Sequence, residues 1–208
     1  MGRSMRRRPR GKEPAARSAT LGEALRAPAF WVFGLASSLY GLVASGIGLF
    51  NEAILAERGF PPDVYHAALA VTAITGLAGN IVAGAWAERG SLRTVLVWSM
   101  VILAAALAAL PRVSTTAHVM TQAVAMGVAG GFVMVVFFAF WGRAFGDGHL
   151  GRIQGAAQVM TVLGSAVGPL LFAWCVDVTG SYAFAFYALA VLVAALGAAG
   201  TVVRIPSR

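Results

Sequence analysis

Six apolar segments of roughly 20 residues each divide this chain, and that length dictates its solvent: a helix rising about 1.5 Å per residue crosses a hydrocarbon core about 30 Å thick in that span. The segments fall at 30–55, 64–86, 94–110, 118–141, 153–176 and 182–203. Hydrophobic residues make up 59% of the chain and charged residues only 12%, far from a soluble composition. The expected fold class is an all-α membrane protein. A basic segment at 1–27 precedes a six-helix bundle over 28–204 and a short tail at 205–208.

Charge sets the expected orientation. Arg3, Arg6, Arg7, Arg8, Arg10, Lys12, Arg17 and Arg26 precede the first segment. Arg89 and Arg93 lie in the second connection, Arg143 and Arg152 in the fourth, and Arg204 and Arg208 in the tail. Only Arg58 and Arg112 lie on the other side. Lys and Arg mark the cytoplasmic side, so both termini are expected there, most simply in a bacterial inner membrane. A basic run before a first span also meets anionic lipid headgroups. The net charge of +8 therefore does not point to nucleic acid, since no soluble basic domain exists to read bases. The apolar run after the charges is too long for a signal peptide. Cys175 is the lone cysteine, which excludes a disulfide within one chain.

The segments also repeat. Starts near 30, 64 and 94 recur near 118, 153 and 182, an offset of about 88 or 89 residues. Gly79 maps onto Gly168 and Glu88 onto Asp177, with Ser91 and Ser181 one place further shifted and Trp86 close to Trp174. Three spans per copy turn the second copy over in the membrane, an inverted three-plus-three repeat of the kind found in secondary transporters.

Small residues line up at helical spacing, as close membrane packing requires. Thr72, Gly76, Asn80 and Gly84 form one stripe; Gly127 and Gly131, and Gly164 and Gly168, form others. Pro169 frees a carbonyl in the fifth span and is a candidate hinge. Polar side chains at membrane depth must find partners or line water. Gln158, Thr161 and Ser165 share one face of the fifth span, with Asn80 at similar depth on the second and Tyr40 and Ser45 mid-way along the first. They line a polar cavity or form interhelical hydrogen bonds, and the sequence leaves both open. Met126, Met134, Phe137, Phe138 and Trp141 read as core or lipid-facing. No Asp, Glu, Lys, Arg or His falls near mid-membrane, so neither a buried counter-ion nor a proton relay is expected in this chain.

With these residues in place, the chain from Leu21 onward resembles the C-terminal half of a major facilitator superfamily transporter. The run Gly84-Ala85-Trp86-Ala87-Glu88-Arg89-Gly90-Ser91-Leu92-Arg93 is similar to that family's cytoplasmic loop signature G-x-L-A-D-R-x-G-R-R, with Glu88 in place of Asp and the second glycine one place early. Gly164-Ser165-Ala166-Val167-Gly168-Pro169 and Asp177-Val178-Thr179-Gly180-Ser181-Tyr182 are similar to the family's eleventh helix. Leu21 to Phe33 and Gly151-Arg152-Ile153-Gln154-Gly155 are loosely similar to the monocarboxylate and oxalate–formate branch. The resemblance implies alternating access around a central site for a small solute, a carboxylate if the branch likeness extends that far. That branch meets carboxylates with a basic residue in its C-terminal half, and none lies at mid-depth here. It also implies a cytoplasmic gate of Gly84, Glu88, Arg89, Arg93 and Arg152, with Glu88 pairing with Arg89 or Arg152.

A full member of the family has twelve spans. Three situations fit six: a piece of a longer transporter, a chain that pairs with a separate N-terminal half, or a homodimer. Thr20-Leu21-Gly22-Glu23 reads as a capping box opening a short helix before Pro28. The rival readings are a membrane enzyme and a non-transporting scaffold. Ser45 and Ser165 lack the G-x-S-G turn of an intramembrane protease, and His66 and His118 sit at the outer ends of their spans. No cofactor or metal is expected.

Overall fold

A computed structural model of the chain describes residues 18–206, and within them the chain forms helices joined by short connections. The short α1 (Leu21–Arg26) leads into α2 (Pro28–Ala56), α3 (Pro62–Arg89), α4 (Leu92–Ala109), α5 (Thr116–Phe145), α6 (Leu150–Thr179) and α7 (Ala183–Val202). A single 3-10 turn, Leu110–Arg112, extends α4. Six helices are long and apolar enough to cross a membrane, with α4 counted together with its 3-10 turn. In hydrocarbon no water can satisfy an open backbone group, so each crossing closes its hydrogen bonds within its own helix.

Most helices overrun the apolar segments because caps stop them and hydropathy does not. Thr20 and Glu23 form the expected capping box, with Glu23 N donating to Thr20 Oγ1 at 3.3 Å and Thr20 N to Glu23 Oε2 at 2.7 Å. Pro28 and Pro62 occupy first positions, where a missing N–H costs nothing. Thr115 accepts from His118 N at 3.2 Å to open α5. At the far ends, α5 stops at Gly146 and α6 at Gly180, whose φ values of 80° and 74° suit glycine. The basic run at 1–17 and its reading as a lipid-contacting tail lie outside the described residues.

The three most extensive seams of the bundle are α2 on α6, α3 on α5, and α4 on α7, with α4 also packed on α5. Exchanging the first three membrane helices with the last three, in order, maps this set of seams onto itself. The starts correspond in the same way, Pro28, Pro62 and Leu92 with Thr116, Leu150 and Ala183. Aromatic rings lock α2 to α5 at the end where most arginines lie, the Arg-rich end. Phe33 and Phe140 stack with centroids 3.6 Å apart, while Phe30 and Phe145 contact Trp141. Trp141 is fully buried, so it belongs to the core side of the two readings given for it.

The α3–α5 seam is a contact of backbone on backbone. A Cβ on Gly127 would stand 2.5 Å from the carbonyl oxygen of Thr72 and 2.9 Å from Gly76 N. On Gly131 it would stand 2.5 Å from Asn80 N and closer still to Gly76 O. On α3 the requirement falls on Gly79, where a Cβ would lie 3.0 Å from Val128 Cα; one on Gly76 would meet Gly127 O at an ordinary 3.5 Å, and one on Gly84 meets nothing within 4 Å. Gly84 thus shares the helical stripe without being needed for packing. Replacing Gly131 by Ala drives a methyl into α3 backbone that has no rotamer to yield, and should cost about 1–3 kcal/mol despite alanine's better helix propensity. Gly84→Ala should leave the unfolding midpoint in detergent unchanged or slightly raised; equal losses for the two variants would contradict this seam.

Candidate functional site

Polar positions of three helices, with a glycine-rich and apolar wall from a fourth, converge on one cavity of about 580 Å³. Tyr40, Ser45, Asn80, Gln158, Thr161 and Ser165 all line it. The walls come from α2, α3, α5 and α6, with no residue of α4 or α7, so α4 and α7 stand behind the site as support. Leu77, Met134 and Phe138 line it while remaining 68%, 48% and 60% exposed, so the space is a concave face of the bundle and not a sealed void. No acidic or basic side chain lines it.

The hydroxyls and the other polar groups behave differently. Ser45 Oγ donates to Ser165 O across the α2–α6 seam at 2.7 Å. That carbonyl is the one left open by Pro169, which lacks the N–H that position 169 of a helix would return to position 165. Ser45 therefore repairs the backbone of α6 from α2, and its donor is not available to a solute. Ser38 Oγ donates to Met160 O at 2.7 Å along the same seam, and Thr161 Oγ1 returns to Ala157 O at 3.1 Å on its own helix. Gly164 and Gly168 make these approaches possible: a Cβ on Gly164 would lie 2.5 Å from Ser38 Oγ, and one on Gly168 closer still to Ser45 Oγ. By contrast, Tyr40, Asn80 and Gln158 make no side-chain hydrogen bond among the described residues. Their phenol and two amides are the polar groups left to face the cavity.

Two features of the walls escape a sequence reading. Gly130 on α5 leaves room for the Tyr40 ring, since a Cβ there would fall 2.9 Å from Tyr40 Cζ and nearer still to its hydroxyl. Met134, Phe137 and Phe138, read from sequence as core or lipid-facing, form the apolar wall facing the amides. Their apolar character fits both settings, and only the pairing of α5 with α3 and α2 places them. Gly130 stands one place off the Gly127–Gly131 stripe, which concealed it.

At the Arg-rich end, arginines meet helix C-termini. Arg143 Nη1 donates to Ala87 O at 2.7 Å, tying α5 to the last turn of α3. Arg93 Nη2 donates to Val203 O, just past the end of α7. A cation there satisfies carbonyls the helix leaves open and faces the negative end of its dipole. Glu88, Arg89 and Arg152 are exposed, and the expected pairing of Glu88 with Arg89 or Arg152 is not formed among the described residues. Of the residues named for the gate, Arg93 alone makes a clamp among the described residues.

The sequence profile of the Major Facilitator Superfamily matches residues 5–208. The chain belongs to that superfamily. No curated protein matches it. Six membrane helices are half of a superfamily fold, and the superfamily's members are membrane transporters and not enzymes. Arg93 lies in the run 84–93 whose sequence resembles the superfamily's loop signature, whereas Arg143 lies outside that run.

The Ser45–Pro169 relation is open to a double-mutant cycle. Ser45→Ala leaves Ser165 O unpaired in an apolar seam and should cost about 1–2 kcal/mol in mixed-micelle unfolding. In a Pro169→Ala background residue 169 regains its N–H, and the same serine substitution should then cost much less. Equal costs in both backgrounds would show that the two residues are independent.

Proposed function

We propose that this chain is the C-terminal half of a secondary transporter, which moves a small polar solute by alternating access between two six-helix halves. The cavity carries this reading: four helices enclose it on one side, and three unbonded polar groups face a space whose remaining wall this chain does not supply. The exchangeable seams support an inverted three-plus-three repeat with the site between the copies. The second half closes the cavity, and the Arg-rich end faces the cytoplasm. The clamps of Arg93 and Arg143 hold helix ends in one arrangement there, and with Gly84, Glu88, Arg89 and Arg152 they form the gate that a cytoplasmic opening has to rearrange. Pro169, backed by Ser45, is the point at which α6 bends.

The chemistry of the lining narrows the solute. Tyr40, Asn80 and Gln158 offer donors and acceptors without charge, which suits hydroxyls, carbonyls or amides. A carboxylate, suggested by the branch likeness, would need its counter-charge from the second half. A scaffold that transports nothing would have no need to leave two amides unbonded at membrane depth, where unpaired polar groups are costly.

Binding tests this directly. Purified protein should show a rise in melting temperature with one member of a panel of neutral polyols, amides and monocarboxylates, because a ligand that binds only the folded state stabilises it. Asn80→Ala and Gln158→Ala should each weaken that binding at least about tenfold, the loss of one or two hydrogen bonds, with normal membrane insertion. Unchanged binding in both variants would remove these residues from the site.

A further inference from the structure

Past Tyr40, toward the end that carries Arg58 and Arg112, lies a smaller chamber of about 120 Å³. It shares Tyr40, Ala44 and Thr72 with the main cavity, so the two spaces meet at the Tyr40 ring. Gln122 of α5 forms part of its wall and is only 9% exposed. Its Nε2 is buried with no hydrogen-bond partner among the described residues. Asn51 of α2 is the second amide of the lining, and no acidic or basic side chain joins them. A buried amide donor without an acceptor is expensive, and the usual remedy is an oxygen from outside the chain. The space equals that of about four water molecules at about 30 Å³ each, enough for the polar end of a small molecule.

We propose that this chamber is a second binding site, where Gln122 donates to the carbonyl or hydroxyl oxygen of a small uncharged solute. Its role as a stop between the main cavity and the Arg-poor side rests on the transport reading above; its chemistry does not. Tyr40 is the partition, and Gly130 gives the phenol its place against α5. No charged side chain lines the chamber itself to recognise an inorganic anion or a metal ion; Arg112 and His118 line the adjoining hollow that Gln122 also borders.

A thiol placed in the chamber reports its occupancy. In a Cys175→Ser background, Asn51→Cys protein in lipid nanodiscs is treated with methyl methanethiosulfonate, with and without molar acetamide as an uncharged amide probe. The thiol should be modified in the folded protein, and acetamide should slow the reaction about fivefold, the effect of one ordinary hydrogen bond on occupancy. Gln122→Leu should abolish the slowing, and Gln122→Met, which keeps length without the amide, is the second variant. No modification before denaturation would overturn the proposal, and so would slowing that is absent or that survives both substitutions; absent slowing would leave water as the only occupant. Gln158→Cys, treated in parallel, separates the two readings. Modification there alone confines the failure to the chamber, whereas none at either position also removes the main cavity.

Discussion

Glycine hydrogen is all that separates α5 from the backbone of α3, and the site depends on that approach. With Gly127 and Gly131 pressed on Thr72, Gly76 and Asn80, α3 and α5 share one wall, and the amide of Asn80 is carried to the cavity beside Met134 and Phe138. In lipid there is little hydrophobic drive between helices, so contacts of this kind, not burial, decide which helices pair. The matching seam between α2 and α6 uses Gly164 and Gly168 with serine hydroxyls laid across them. The cavity is the space left between two such seams, with α4 and α7 as a buttress behind.

Serine and threonine at membrane depth take a different part from the amides. A hydroxyl is short and reaches a backbone carbonyl on its own or a touching helix, as Ser38, Ser45 and Thr161 do. An amide on a longer stem finds no such partner on its own helix and is left toward open space. The absence of charge from the lining follows the same economy. A charge facing lipid-depth space would need a counter-charge held in every state of a moving protein.

The six crossings, the capping box and the shared depth of Tyr40, Asn80 and Gln158 were legible in the sequence, because hydropathy and local caps are local signals; whether those three line a cavity or bond one another was left open. What depended on pairing was not legible. Ser45 does line the cavity, but its hydroxyl is committed to a carbonyl opened by Pro169 on another helix, which no local signal announces. Gly84 shares a stripe with Gly76, yet a Cβ on it would meet nothing within 4 Å. Phe137 and Phe138 carry the same apolar signal whether they face lipid, core or solute. Glu88 had two arginines within reach in sequence, but neither pairs with it in the structure. Gln122, an unremarked amide near the start of α5, gained meaning only through its burial.

The division between hydroxyls that bind backbone and amides that face space also bears on how such a protein diversifies. Residues that hold the helices together and residues that face the cavity unbonded are of different chemical kinds and sit at different positions. A lineage can therefore exchange Tyr40, Asn80 or Gln158 for other side chains without loosening the Ser45 and Gly131 seams. Substrate range can drift quickly over a scaffold that drifts slowly, and related chains with the same seams need not share a solute.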